Sequence, residues 1–169
     1  MQSRVNQSFD SALAEFQQTV SSGVGKQSVL EQTVRILAGA FDVPLCKILE
    51  LTEDRSALLV TAGVGWEDGV VGVARVSAKP DSQPGYTLMG RDAVIFEDLS
   101  DTHRFTAASL ARSHGIISSV CVPIGDGVSA RGVICIHDTK KRKFSREELR
   151  FLRDVARGLR PVLSLRTDV

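Results

Sequence analysis

Three cysteines carry the most reactive side chains of this sequence. Cys46, Cys121 and Cys135 are odd in number, lie in apolar surroundings and form no C-x-x-C pair. Because zinc sites and disulfide frameworks depend on characteristic spacings of cysteine and histidine, the pattern predicts no metal site. It indicates reduced thiols that pack as small apolar side chains. A redox sensor or reductase that uses Cys121 and Cys135 is the enzymatic alternative.

Acidic and imidazole side chains are the next candidates for chemistry. Glu97 and Asp98 are adjacent at the end of a predicted strand, so they point to opposite faces and cannot easily act as a paired acid and base. Asp98 is interpreted either as a cap of the following turn or as a ligand contact. His114 precedes Gly115 at a predicted helix end, where the helix dipole favours a cation. It is interpreted as a capping residue or as a polar contact in a pocket.

Glycines and basic residues offer weaker signals. Residues 63–72 contain G-x-G but neither G-x-G-x-x-G nor G-K-[ST], so turn chemistry and not a phosphate cradle explains them. The longest basic run, residues 140–143, is interpreted as a solvated loop. Both interpretations leave the segments without a functional role.

Composition excludes several classes of protein. The chain has 169 residues and a net charge of +1, which fits one domain and gives no electrostatic reason to expect nucleic acid or an anionic membrane as partner. A polar amino terminus and the lack of a long apolar run predict neither a signal peptide nor a membrane span. The expected location is the cytoplasm.

Hydrophobic periodicity predicts three long amphipathic helices that must position these candidates. The first covers residues 3–21. The second begins at an S-x-x-E capping box on Ser28 and is stopped by Pro44. The last begins at a second capping box on Ser145 and is expected to kink or end at Pro161.

Strand-like runs and hairpin turns predict a largely antiparallel sheet, with the three long helices on one face. The runs cover residues 45–51, 57–64, 70–76, 93–97, 117–124 and 131–137. A loop with a short helix occupies residues 78–91, and a second short helix occupies residues 107–113.

The last hairpin permits a prediction of register. If Ile124 pairs with Ala130, the cysteines of the two strands are diagonal neighbours about 7–8 Å apart, too far for a direct disulfide. Side-chain alternation then places a mixed set on the face opposite the helices, namely Ser119, Cys121, Cys135 and His137. The aliphatic set Val120, Val122, Ile134 and Ile136 would face the helices.

The order of these motifs resembles a GAF domain. The resemblance extends over about residues 28–159 and looks most like GAF modules of bacterial sensor kinases and diguanylate cyclases. It is carried by residues 85–88, 94–99, 104–105, 114–124, 132–136 and 144–149.

The resemblance implies an α+β fold in one domain over residues 1–169. The expected central antiparallel sheet has about six strands, with amino- and carboxy-terminal helices (within 1–25 and 145–168) on one face. Short helices and loops would enclose a small-molecule pocket on the other. A homodimer through the terminal helices, and an output kinase, cyclase or partner protein, are implied as partners. The candidate ligand-binding residues are Tyr86, Phe96, Asp98, Phe105, His114, Ser119, Cys121 and Cys135. For the aromatic ones, core packing is the alternative.

Three branches of the family are tested by particular residues. Thr106 and Ala107 stand where photoreceptor members carry a Cys-His pair, so no covalently attached bilin is expected. The cysteines lie in predicted strands and not in the pocket loops that free methionine sulfoxide reductases use. Phe144 and the acidic residues after it have the wrong spacing for the cyclic-nucleotide signature. The sequence therefore predicts a non-enzymatic sensory module with no resident cofactor. A ligand-free dimerisation scaffold is a further alternative.

Overall fold

The computed structural model describes residues 2–99, 105 and 109–164. Within these residues the helices are α1 (Gln2–Ser21), α2 (Lys26–Phe41), α3 (Gln83–Met89), α4 (Ser109–Ser113) and α5 (Arg146–Leu163). The strands are β1 (Leu45–Leu51), β2 (Ala57–Val64), β3 (Arg75–Ser77), β4 (Val94–Phe96), β5 (Ser118–Ile124) and β6 (Gly132–Asp138). None of the described helices has the length and apolar character needed to span a bilayer.

The strands form one six-stranded sheet in the order β3-β2-β1-β6-β5-β4. Every adjacent pair is antiparallel. The two central strands, β1 and β6, are far apart in sequence. Their pairing therefore joins the first half of the chain to the second. This arrangement confirms the predicted α+β fold and its antiparallel sheet.

The long helices α1, α2 and α5 cover one face of the sheet. The aliphatic side chains of β5 and β6 that were predicted to face them (Val120, Val122, Ile134 and Ile136) are buried in the same core cluster as the helix side chains. Phe16 of α1 occupies the space beside Gly158 of α5, where a Cβ atom would lie 2.5 Å from its ring. The two helices thus cross in close contact at that glycine.

The register of the last hairpin differs from the prediction. Ile124 pairs with Gly132, so that every partner is displaced by two residues from the pairing with Ala130. The cause is a longer turn, in which Gly127–Ser129 forms a 3₁₀-helix and Gly125 adopts a φ of 108°. Because side chains alternate with a period of two residues, this displacement leaves the predicted faces unchanged.

The start of α2 also differs from the prediction. The helix begins at Lys26 with Gly25 as its N-cap, and Ser28 makes no capping bond. Instead the Ser28 hydroxyl accepts a hydrogen bond from the Gln32 amide at 3.0 Å within the helix. An S-x-x-E pattern inside a helix places the serine and the glutamate on the same side without any orphan donor for them to satisfy.

The ends of α5 follow the sequence more closely. The Ser145 hydroxyl accepts from the Glu148 N–H at 3.1 Å, and the Glu148 carboxylate accepts from the Ser145 N–H at 2.9 Å. This capping box is the predicted one. Pro161 is accommodated within the last turn, and the helix continues to Leu163.

Two loop predictions were wrong in part. Strand β3 covers residues 75–77, so only residues 75 and 76 of the predicted strand 70–76 belong to it. Before it the chain turns, and Val70 accepts hydrogen bonds from Val73 and Ala74. In the basic run 140–143, Arg142 is not solvated. Its guanidinium donates to the Phe41 carbonyl at 2.9 Å, forms an ion pair with Glu148 and lies 3.7 Å from the Asp138 carboxylate.

Candidate functional site

A group of polar side chains lies on the sheet face opposite the helices. Pairing of β1 with β6 and of β6 with β5 sets them in neighbouring rows. We call them the polar patch: Lys47, Ser119, Cys121, Cys135 and His137. None of the five is more than 4% exposed. Buried polar groups normally have partners, so the partners of each decide what the patch can do.

His137 is only half satisfied. Its Nδ1 lies 2.8 Å from the Ser119 hydroxyl, whereas Nε2 is buried and has no hydrogen-bond partner among the described residues. Burial, followed by the charge of Lys47 and then the neighbouring His114, holds the pKa of His137 well below the usual 6.5. The imidazole is therefore neutral at pH 7, with one nitrogen available for a further hydrogen bond.

Lys47 brings a positive charge into this buried region. Its ammonium lies over the Trp66 ring, 4.7 Å from the centroid. The Trp66 ring is fixed in turn by a 2.9 Å hydrogen bond from Nε1 to the Cys46 carbonyl. Within the described part of the chain, no carboxylate forms an ion pair with this ammonium.

His114 extends the same cluster from α4. Its ring meets Trp66 edge-on at a centroid distance of 4.8 Å. Nδ1 donates to the Leu110 carbonyl at 2.9 Å, and Nε2 accepts from the Glu67 N–H at 3.3 Å. These bonds join α4 to the segment after β2, and the contact with the Leu110 carbonyl agrees with a capping role.

Three of the predicted aromatic residues come together at the β4 side of the patch. Phe96 pairs with Ser119 across β4 and β5, and its ring meets Phe105 at 5.3 Å. Phe105 in turn lies 5.9 Å from Tyr86 of α3. An aromatic wall of Tyr86, Phe96 and Phe105 thus borders the patch.

Helix α3 is held over this face by its own amino terminus. The Ser82 hydroxyl accepts from the Gly85 N–H at 3.0 Å and donates to the Ser77 carbonyl at 2.7 Å. A Cβ at Gly85 would lie 2.0 Å from the Lys79 carbonyl, so only glycine permits this close approach. These contacts fix the helix that carries Tyr86 to the end of β3.

Asp98 lies at the end of β4 and forms an ion pair with Lys141 at 3.2 Å. This contact favours a structural role over a ligand contact. Thr106 and Ala107, the residues at the position of a chromophore attachment pair, lie outside the described residues.

Cys121 of β5 and Cys135 of β6 are directly opposite one another, not diagonal as predicted. Directly paired strand residues have Cα atoms about 4.5–5.5 Å apart, which is within the range that disulfides span. Burial is the main cause that raises the pKa of the Cys121 thiol, and it also raises the pKa of Cys46 on the helix face. Protonated, buried thiols are poor nucleophiles. The described residues contain no group of three or more potential metal ligands.

Sequence reasoning missed Lys47 and Trp66 and placed His137 on the correct face without assigning it to the site. The available signal was the alternation in β1, which puts Lys47 on the same face as Leu45 and Leu49. A single lysine among leucines on a buried strand face is a candidate for function. Nothing in the sequence connects Lys47 to Trp66, because their contact depends on the path of the chain after β2.

Known structures share this architecture. The GAF domain of an Acinetobacter phosphoenolpyruvate-protein phosphotransferase superposes with a TM-score of 0.80 at 22% identity, over 92% of each chain. The free methionine-R-sulfoxide reductase of Neisseria meningitidis gives 0.77 at 15% identity, over 92% of this chain and 87% of the other. A phycoerythrobilin-bound GAF domain from a cyanobacterial phytochrome gives 0.73 at 15% identity, over 92% and 94%.

These three structures are a domain of a phosphotransferase, a reductase and a bilin-bound domain on one fold, so the likeness establishes the fold alone. No curated protein sequence matches the chain significantly. The family model of the GAF domain matches residues 26–159. The chain therefore belongs to the GAF domain family.

Proposed function

We propose that the chain is a non-enzymatic regulatory GAF module that binds a small molecule over the polar patch. GAF domains generally act in sensing or regulation and bind small molecules. The observation that carries the proposal is the unfilled hydrogen-bonding capacity of the patch, where His137 Nε2 is buried without a partner among the described residues. A bound molecule would satisfy that atom, as binding sites commonly do with a few convergent polar groups in apolar surroundings.

The patch lacks an activated nucleophile. Ser119 and His137 are within hydrogen-bond distance, but the low pKa of His137 makes it a weak base. A catalytic serine also needs a base oriented by a third group, and no described residue bonds to Nε2. The pair supports binding better than acyl transfer.

We further propose that the module acts as a homodimer through its helix layer, upstream of an output domain or partner protein in bacterial signal transduction. A groove between α1 and α2 supports this arrangement. Its lining contains small residues (Ala12, Gly39, Ala40) and two opposite charges, Glu15 and Arg35. A groove that holds charges of both signs suits a self-complementary contact between two copies.

Trp66 provides a direct test, since it is the only tryptophan of the chain and touches the patch. We expect its fluorescence to change when a metabolite from a broad panel binds, with a matching rise in melting temperature. Native mass spectrometry of freshly purified protein gives the oligomeric state in the same preparation. A dimer whose fluorescence and melting temperature change with none of the compounds would contradict ligand sensing and favour a dimerisation scaffold.

A cysteine-based redox function is the second candidate, because Cys121 and Cys135 are directly opposed. Mild oxidation with diamide followed by intact-mass measurement tests it. We expect the mass of the folded protein to stay unchanged, whereas a disulfide would lower it by two hydrogens. We also expect its thiols to react slowly with a thiol reagent until the protein is unfolded. Rapid formation of a Cys121–Cys135 disulfide in the folded state would replace the sensory proposal with the redox one.

A further inference from the structure

We infer that the molecule bound over the polar patch is a small organic anion, whose carboxylate or phosphate oxygens bind the Lys47 ammonium and the Nε2 nitrogen of His137. This inference rests on the proposed function and adds the chemical class of the ligand. It is argued from charge, hydrogen bonding and the aromatic surroundings.

The first argument is the charge balance of the patch. Lys47 is 4% exposed, and the described carboxylates of β1 and β6 are paired with other cations. Glu50 of β1 pairs with Lys26 at 3.1 Å, and Asp138 of β6 lies 3.7 Å from Arg142. Burying an ammonium without an anionic partner is unfavourable. An anion in the patch would supply the missing partner.

The second argument is the state of His137. The Lys47 charge helps to keep the imidazole neutral. When the Ser119 hydroxyl donates to Nδ1, the hydrogen of the neutral ring is on Nε2, where no described residue accepts it. An anionic oxygen between Lys47 and His137 would accept from both. A neutral ligand could satisfy Nε2 but would leave the ammonium without a counter-charge.

The third argument is that Trp66 holds the ammonium without neutralising it. The indole face lies 4.7 Å from Nζ, and a cation–π contact uses none of the three ammonium hydrogens as a conventional hydrogen bond. The same ring meets His137 edge-on at 5.6 Å. Trp66 therefore fixes the positions of the lysine and the histidine relative to each other while their donors stay available.

The surroundings of the patch favour an organic body on this anion. The aromatic wall of Tyr86, Phe96 and Phe105 borders Ser119 at the β4 side. An apolar part of the ligand would pack there, whereas inorganic phosphate has no such part. Matched probes can separate these contributions.

The test uses pairs of probes that differ in charge: benzoate with benzamide, and phenyl phosphate with phenol, together with inorganic phosphate alone. Trp66 fluorescence and thermal shift report binding. We expect one of the two anions to bind at least about tenfold more tightly than its neutral counterpart, as a charge-assisted contact requires. The preferred pair distinguishes a carboxylate from a phosphate, and weaker binding of inorganic phosphate would confirm the organic body.

Three variants assign the effect to Lys47. Lys47→Met is expected to abolish the preference for the anion, and Lys47→Arg to retain most of it. Lys143→Met removes an exposed lysine and is expected to behave as wild type. Circular dichroism confirms that each variant is folded.

Two results with the matched probes would overturn the inference. The first is equal or tighter binding of the neutral probes, and the second is an anion preference that survives in Lys47→Met. A neutral compound that binds in the metabolite panel while all anions fail would refute the anion and leave the sensory function standing. Failure of every compound would refute both.

Discussion

The two faces of the sheet are built from the same strands and differ in how completely they are satisfied. On the helix face, β5 and β6 present aliphatic side chains in a continuous core. On the other face, the same strands present serine, cysteine and histidine beside a buried lysine. The larger hydrophobic core thus lies on the helix face. The other face combines a smaller core with a polar group, His137 Nε2, that no described residue satisfies.

Two cations, Arg142 after β6 and Lys47 of the polar patch, differ in their partners. Arg142 bonds to the end of α2 and to the start of α5. Among the described residues, Lys47 has the Trp66 ring as its partner and no ion pair. A cation whose partners lie within the chain is part of the architecture, whereas one without them is available to something from outside.

The largest expected effect separates neighbouring residues of β6. Ile134 and Cys135 are both fully buried but face the helices and the patch respectively. Ile134→Ala is expected to lower the free energy of unfolding by about 2–5 kcal/mol through the cavity it leaves. Cys135→Ala removes one sulfur atom and is expected to cost about 1 kcal/mol. Urea denaturation of both variants measures the difference, and equal losses would contradict the comparison.

The next effect separates the two cations. Arg142→Met is expected to cost about 3 kcal/mol, because Asp138 and Glu148 lose a partner in a mostly buried site. Lys47→Met is its matched control and is expected to stay within about 1 kcal/mol of wild type, or to be more stable, since no ion pair is broken. Thermal and urea unfolding test both. A large loss in Lys47→Met would show that the ammonium already has a strong stabilising contact.

A pH dependence of stability follows from His137. Its pKa is far below 6.5 in the folded protein, so as the pH falls below 6.5 the unfolded state takes up a proton that the folded state does not. Stability therefore declines in this window, with a slope approaching about 1.4 kcal/mol per pH unit, and is unaffected by this group above it. Urea unfolding of wild type and His137→Gln from pH 7.5 to 5 isolates the contribution. Identical slopes would argue against a buried neutral imidazole.

The smallest effect compares adjacent serines of β5. Ser119 is bonded to His137 at 2.8 Å and Ser118 to the Lys140 carbonyl at 2.8 Å. Ser119→Ala is expected to cost about 1–2 kcal/mol because it leaves both imidazole nitrogens without a partner in a dry site. Ser118→Ala is expected to cost about 1 kcal/mol or less, since water can reach a carbonyl beside an exposed lysine. A greater loss of stability in Ser118→Ala than in Ser119→Ala would contradict this prediction, since it would show that the Ser118 bond stabilises the fold more than the Ser119–His137 bond.

The sequence predicted the sheet face of each side chain better than the register of the strand pairs. Alternation in β5 and β6 correctly placed Ser119, Cys121, Cys135 and His137 on the face opposite the helices, because any even displacement of register preserves the face. The register itself depended on the turn, where a 3₁₀-helix and left-handed glycines lengthen the connection. Such a turn has no strong signature in a single sequence.

Long-range contacts were the other limit. The Ser145 capping box was predictable because its two bonds are local. The Ser28 pattern failed because the same four-residue signal also occurs inside a helix. Lys47 and Trp66 meet only after the chain has completed β2 and turned back. Periodicity describes one element at a time, so it cannot show such a pair.

The contact between Phe16 and Gly158 has a mechanical consequence. The Phe16 ring occupies the space that a Cβ atom of Gly158 would need. So close a contact is expected to limit sliding of α1 against α5. A displacement of either helix at this crossing point is therefore expected to displace the other. A glycine inside a helix costs about 1 kcal/mol of helix stability relative to alanine. At Gly158 this cost accompanies a close contact between α1 and α5.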